Sequence, residues 1–242
     1  MRGSNDVNGT HGKIIRLWRY PVKSMLGEEC VYLDVNERGV AGDRLFSVRD
    51  TDGKFGSGKT SRRFRRMDGL FGFSAAYYQD VPRIVFPDGR TMLGNDSDVH
   101  AALSEALGQT VTLAREAGIS HLDAGPLHLL TTASLVWLRA LLPDVEVDDR
   151  RFRPNILIDV PGETQVERLW LGKVISVGDE VRLRVRDLTE RCVMVNLSQA
   201  GLPDDPRVLR GIGRNTGPHF GVYAEVLVPG RIKRDDCLMV GN

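Results

Sequence analysis

From Lys13 onward the chain is cut into short apolar runs, KIIRLWRYPV, ECVYLDV, RLFSVRD, RIVFP and TVTLARE, each bounded by Gly, Pro, Asn or Asp. Runs of this length and punctuation read as β-strands, and too few helices lie between them for a parallel sheet with crossovers. Later segments repeat the pattern: NILIDV, KVISVGDEVRLRV and FGVYAEVLV, where Val181, Leu183 and Val185 alternate with arginines. Such alternation marks antiparallel strands with one face in the core and one in water. Two helices stand out. In NDSDVHAALSEALG, Val99, Ala102, Leu103, Ala106 and Leu107 share one helical face, with caps offered by Asn95 to Ser97 and a stop at Gly108. In TTASLVWLRALLP, Leu135, Leu138 and Leu142 form a stripe that ends at Pro143. The fold class expected is therefore α+β and rich in β: a mobile polar tail over residues 1–12, a β unit over 13–98, and a second β-rich unit with a few helices over 99–242, divided at the polar turn LGNDSD.

Against this organisation, GKFGSGKT at 53–60 matches the written P-loop pattern: Gly53, then Gly58, Lys59 and Thr60. A working P-loop needs a buried parallel strand before it and a helix N-terminus after it, since the helix end and successive amides hold the phosphate. The segment that follows, SRRFRRMDGLFGF, is broken by Gly69 and Gly72. A nucleotide cradle is not expected. What remains is charge: Lys59, Arg62, Arg63, Arg65 and Arg66 crowd together, either as a solvated basic turn or as part of an anion site. The net charge of the whole chain is only +1, which argues against nucleic-acid or membrane-surface binding and makes any basic site local. No apolar stretch approaches a membrane span, and the three cysteines, Cys30, Cys192 and Cys237, have no spacing for a disulfide framework, a zinc site or a cluster. A cytoplasmic, reducing location is expected.

Other segments supply company for those cations. Lys23 and Ser24 follow a strand and a Pro21 turn in RYPVKSMLGEE, a setting that suits a terminal phosphate. Arg44 lies in AGDRLFSV, and Arg153 and Asn155 in RFRPNILID. Arginine's planar fork suits phosphate or a fused heterocycle. Each residue alone reads more readily as a surface or structural residue than as part of a site. Cys192, next to Arg191 where the strand VRLRVRDLTERC gives way to a loop, has a setting for a soft metal ligand, since a neighbouring cation favours the anionic form of a thiol; the other reading is an inert buried thiol.

Taken in order, RYPVKSMLG, GDRLF, TSR, HLLTTASL, RFRPNI, ERLW, ERC and HFGVYAEVLVPGRI resemble the MOSC proteins, named after the C-terminal domain of molybdenum-cofactor sulfurase. The resemblance runs from about residue 13 to 240. It is closer still to the group with an N-terminal MOSC β-barrel, which includes the mitochondrial amidoxime reducing component and its bacterial relatives. It implies an N-terminal MOSC-type β-barrel unit followed by a MOSC domain, and a molybdenum cofactor (a pterin dithiolene bearing a phosphate) held between them. Carried over residue by residue, it makes Cys192 the metal ligand and puts Lys23, Ser24 and Arg44 at the phosphate or pterin. The family's Thr-x-Arg falls on Thr60 and Arg62. Thr131, Thr132 and Ser134 would meet pterin or phosphate from a helix start, though ordinary capping explains them as well; Arg153 and Asn155 would complete the contacts. Glu167 and Trp170 match a signature read as structural. After Cys192 this chain reads CVMVNLSQAG, with Asn196 and Ser198 where a threonine and an acid are usual.

The function implied is reduction of an N-oxygenated small molecule such as an amidoxime, hydroxylamine or N-oxide. Its electrons would come from a separate protein of ferredoxin, flavoprotein or cytochrome b5-like type, because the chain ends at Asn242 without a ferredoxin-like unit. Two other readings keep the fold: a sulfur carrier or sulfurtransferase with a persulfide on Cys192, and a non-catalytic cofactor-binding protein.

Overall fold

The computed structural model describes residues 11–241; of the expected tail over 1–12, residues 1–10 lie outside the described residues, while His11 and Gly12 already stand in a strand. Its largest element is a closed barrel of seven strands. His11–Arg19 pairs with Cys237–Val240 on one side and with Ile156–Asp159 on the other; from Cys237–Val240 the order runs through Val174–Val177, Val181–Glu190, His219–Val228 and Leu127–Thr131 back to Ile156–Asp159. Only the Leu127–Thr131 and Ile156–Asp159 pair is parallel. The alternation read in the sequence decides which side faces in: Val181, Leu183 and Val185 are fully buried with Ile14, Leu17, Ile156, Ile158 and Trp170 in one apolar cluster. Closure leaves no unpaired edge in this ring.

A second core is built from the middle of the first half. Phe46–Asp50 pairs with Val111–Arg115 and with Phe55–Ser57, which runs parallel to Phe64–Arg66. A three-stranded meander, Ser74–Tyr78, Val81–Val85 and Thr91–Leu93, packs over it. Helix α1, Val99–Leu107, buries Val99 and Leu103 against Val48, Phe73 and Ile84 and ends at Gly108, whose φ of 64° is the left-handed stop glycine provides cheaply. The expected division at 98/99 is therefore not where the cores divide: α1 and Val111–Arg115 belong with the preceding unit, and His11–Arg19 belongs with the barrel that follows.

Helix α2, Thr132–Leu141, follows its expected stripe, and a third helix, α3 (Arg207–Thr216), packs Val208 and Ile212 beside it. The P-loop pattern falls on the strand Phe55–Ser57 and the turn after it, and the next element is the strand Phe64–Arg66. With no helix there, the phosphate-binding geometry of a P-loop is absent. ECVYLDV, read as one alternating strand, breaks at exposed Val31 into Glu28–Cys30 and Tyr32–Asn36 because its two halves pair with different partners. Among the described residues no helix is long and apolar enough to cross a membrane.

Candidate functional site

Between the two cores lies a cavity of about 520 Å³. Seven of its lining side chains are Lys or Arg and three are Asp or Glu, so a chain that is nearly neutral overall concentrates positive charge here. Lys23, Ser24, Arg44, Arg153 and Cys192, all expected at the site, line it together, although they are spread over 170 residues of sequence.

The backbone of this cavity is unusual. Ser24, Arg44 and Arg153 have φ of 64°, 51° and 53°, in the left-handed region that L side chains rarely adopt. At Arg44 and Arg153 the turn brings both guanidinium groups onto one ring: they lie 4.8 and 4.1 Å from the centroid of buried Tyr20. Such stacking holds the forks flat while leaving their edges for an anion. Arg44 is also paired with the buried carboxylate of Asp43, whose Oδ1 accepts the Tyr20 N–H at 2.8 Å. Burial opposes its charge, but Asp43, with Asp123 beyond it, holds the Arg44 guanidinium above its ordinary range. Arg153 has no such carboxylate and burial brings it down to about 10. Its Nη1 donates to the Met25 carbonyl at 2.7 Å, and its buried Nη2 has no partner among the described residues.

Lys23 is only 3% exposed. Its ammonium donates to the His121 carbonyl at 2.8 Å and to the Asp123 carboxylate. Burial lowers its proton affinity, with Asp123 acting against that. For Asp123 burial is outweighed by Lys23 and then Arg44, whose Nε lies 3.7 Å away, so the carboxyl stays well below its usual range. Lys23 and Arg44 thus already grip one internal anion. Two more cations stand at the rim, Lys59 and Arg63, each over the Phe64 ring.

Cys192 is half-buried and opens the short turn Val193–Val195. Its neighbour Arg191 fixes the place where the strand ends: Nε and Nη2 donate to the Phe220 carbonyl, Nη1 to the Phe152 carbonyl, and Nη2 meets His128 Nε2. Burial, and then Arg191, push His128 well below its ordinary value, so it is a neutral acceptor. Among the described residues no three His, Cys, Asp or Glu side chains group as a metal site; Cys192 stands as a single soft donor in basic surroundings.

Six expected site residues are elsewhere. Thr60 and Arg62 are exposed outside the cavity, and Lys59 and Arg63 beside them take the lining positions. Thr131 and Ser134 are fully buried and donate to Glu167 at 2.6 and 2.5 Å; Thr131 also caps α2 by accepting the Ser134 N–H. Thr132 binds Asp159 and the Val160 carbonyl. Asn155 ties two strands, accepting from the His128 N–H and donating to the Trp18 carbonyl. Of these hydroxyls, for which the sequence left capping open, only Thr131 makes a cap; bonds to Glu167 and Asp159 hold Ser134 and Thr132, and Asn155 serves as a strand tie. The glycines of the P-loop pattern have another use: a Cβ on Gly58 would stand 2.4 Å from Leu197 and 2.6 Å from Met194, so glycine lets this turn press on the chain just after Cys192.

Asp123, His128 and Tyr223 were not expected from the sequence. Arg191 was singled out there as the cation beside Cys192, while its structural work is on carbonyls.

Compared with protein families, residues 88–238 match the MOSC domain and residues 11–71 match the MOSC N-terminal beta barrel domain. A sequence comparison with curated proteins gives no match. Among solved structures, the YUAD protein from Bacillus subtilis is similar over 95% of both chains, at 13% identity and a TM-score of 0.55, which supports the fold alone. YiiM from Geobacillus stearothermophilus aligns over 64% of this chain and 68% of its own, at 18% identity and a TM-score of 0.38, too low to carry an argument.

Proposed function

Because the chain belongs to the MOSC family, with a MOSC N-terminal β-barrel domain ahead of its MOSC domain, we propose that the basic cavity binds a molybdenum cofactor and that the protein reduces N-oxygenated compounds with electrons from a separate redox protein. MOSC-domain proteins are often associated with the molybdenum cofactor. The observation that carries the proposal is the convergence of Cys192, the one thiol on the cavity, with buried Lys23, Arg44 and Arg153.

The residues present suit such a group. A pterin dithiolene brings its own sulfur ligands and needs from the protein one further soft donor, which Cys192 offers. It carries a phosphate, and Lys23 and Arg44 are already arranged around a carboxylate that a phosphate could replace. Arg153 lines the same cavity and adds a third cation beside Lys23 and Arg44. When bound, the cofactor supplies the two-electron chemistry that removes oxygen from an N-hydroxyl group as water.

This chain's own residues hold and orient. Tyr20 fixes the two guanidinium planes. Ser24 donates to the Gly56 carbonyl at 2.9 Å, which anchors the turn that presents Lys23. Arg191, with hydrogen bonds to the Phe220 and Phe152 carbonyls and to His128, sets where Cys192 stands.

The test is elemental and pterin analysis of protein made with molybdate in a host that synthesises the cofactor, beside Cys192→Ser. Stoichiometric molybdenum that is lost in the variant, together with dye-driven consumption of benzamidoxime by the parent, is expected. Sulfane sulfur on Cys192 with no molybdenum would overturn the reading in favour of a sulfur carrier, and bound cofactor without turnover in favour of a binding protein.

A further inference from the structure

The basic turn that resembles a P-loop supplies two cations to the cavity rim and is otherwise unused by the proposed reduction. Residues 58–63 arch between the parallel strands Phe55–Ser57 and Phe64–Arg66, and no acid occurs from Gly53 to Met67. Arg65 and Arg66 are paired with the carboxylates of Asp50, Asp52 and Asp68. Lys59, Arg62 and Arg63 have no carboxylate partner among the described residues, and Arg62 and Arg63 are exposed. Like charges this close repel, yet the turn is held from within. Ser61 Oγ accepts the Arg63 and Phe64 N–H groups at 3.3 and 3.2 Å, and Arg63 Nη2 donates to the Ser120 and Leu122 carbonyls. The turn also passes between two cavities. Lys59 and Arg63 line the first, and Gly58 lines a second, of about 460 Å³, that shares Ser24 and Met194 with it. The Gly58 N–H donates at 3.0 Å to Sδ of Met194, two residues after Cys192.

We propose that this turn is the docking surface for the acidic face of the one-electron carrier protein that drives the reduction, with Arg62 as an anchoring contact. The inference gives the separate redox protein of the function proposed above its place on the surface, and it rests on that reading for the need of a donor. Position and charge agree. Electron transfer between proteins weakens steeply with distance, and the turn is an exposed positive segment in direct contact with the chain that follows Cys192. Encounters between redox proteins bury little area and are steered by charge, so a few unpaired cations suffice. A nucleic acid fits worse: apart from buried Phe55 the aromatic here is Phe64, already engaged by Lys59 and Arg63, and the chain has no wider positive field. In the reaction served, two reduced carriers give one electron each; with two protons from water the N–O bond of an amidoxime breaks, leaving an amidine, water and two oxidised carriers.

The experiment compares the parent, Arg62→Glu and Arg83→Glu, each as the full chain made in the cofactor-synthesising host. Arg83 is exposed on the strand Val81–Val85 and lines neither cavity, so its variant makes the same charge change away from the turn. The probe is a net-acidic two-iron ferredoxin, titrated by calorimetry and then, in reduced form, used to drive benzamidoxime consumption. Arg62→Glu should bind it about tenfold more weakly and raise its KM by a like factor, since reversal removes an attraction and adds a repulsion, while Arg83→Glu stays within about twofold of the parent. The difference should vanish in about 1 M salt. Dye-driven consumption, molybdenum content and melting temperature should be the same in all three, which separates lost docking from a lost site or a lost fold. Equal ferredoxin affinity in parent and Arg62→Glu, an equal loss in both variants, or no ferredoxin binding to the parent would overturn the proposal even where dye-driven turnover is present. Single-stranded RNA that bound more tightly than ferredoxin and depended equally on Arg62 would overturn it in favour of a nucleic-acid surface. Ferredoxin binding that depends on Arg62 in a parent without dye-driven turnover would uphold the docking surface and count against the reductase reading alone.

Discussion

Replacing Ser134 and Thr131 by alanine separates two roles that the sequence left open for these hydroxyls. Glu167 is fully buried and its two oxygens accept one hydroxyl each, from Thr131 at 2.6 Å and from Ser134 at 2.5 Å. A hydrogen bond to a charged group contributes about 1.5–3 kcal/mol, so Ser134→Ala should destabilise by about 2 kcal/mol. Thr131→Ala loses the equivalent bond and also the cap on α2, for a total of about 3 kcal/mol. The double variant should lose less than the sum, because both hydroxyls serve one carboxylate. In urea, Thr131→Ala should unfold at a midpoint lower by roughly 1 M. Burial raises the Glu167 carboxyl and the Ser134 and Thr131 bonds pull it down. A carboxyl raised in the folded state holds its proton after the unfolded chain has lost it, so its stabilising share is complete below the unfolded value and declines as pH rises through the folded one. Alanine at either position raises the folded value further, and the deficit should therefore shrink on acidification. Pyrophosphate binding to the basic cavity should not change. If Ser134→Ala kept the parent's midpoint and weakened pyrophosphate instead, the hydroxyl would face the ligand and its structural role on Glu167 would be refuted.

Two other outcomes follow from the charges. Asp123 occupies Lys23 and approaches Arg44, so Asp123→Asn should tighten pyrophosphate by about 1 kcal/mol, or roughly fivefold, given that its side chain is half exposed; the gain should fade in 1 M salt, and an unchanged or weaker affinity would mean that Asp123 organises the cations rather than competing for them. His121 is fully buried and pushed down to about 4 by burial and then by Arg49. The unfolded chain takes up a proton there first, so stability should fall by about 3 kcal/mol as pH drops from about 6.5 to about 4, and an acid titration of His121→Phe should lack that component.

The strands were legible because each alternates over a few residues and is bounded by its own turn chemistry. Closure of the barrel was not: His11–Arg19 meets Cys237–Val240 across more than 200 residues, and no local pattern announces that. α3 was not among the expected helices: Gly211 and Gly213 lower helix propensity, yet Leu142 packs close on Gly211, where a Cβ would lie 3.0 Å away, so the glycine admits a neighbouring side chain. At the site, Lys23, Arg44, Arg153 and Cys192 were found by the company their motifs keep. Thr131, Ser134 and Asn155 belong to equally good motifs but serve the fold, and only the burial of Glu167 and the strand crossing at Trp18 show it. Asp123 sits in a polar loop, SHLDAGP, where an acid carries no distinguishing signal.

The distribution of strained backbone connects the two cavities more firmly than proximity does. Six non-glycine residues among those described have left-handed φ: Ser24, Arg44, Gln79, Arg153, Ala200 and Asp235. Ser24, Arg44 and Arg153 line the first cavity, Ser24 and Ala200 the second, and only Gln79 and Asp235 line neither. Each such residue costs of order 1–3 kcal/mol that a glycine would largely avoid, so an arginine at 44 or 153 is explained by its head group and not by its backbone. Those head groups share one tyrosine ring, which places two like charges at close range with a carboxylate on only one of them. An anion bound between them would offset that repulsion, while the backbone strain stays with the fold. Apo instability and anion affinity are then two measures of one arrangement, and raising the anion concentration L should raise the melting temperature in proportion to ln(1 + L/Kd). A protein whose melting temperature ignored pyrophosphate would have these arginines for the fold alone.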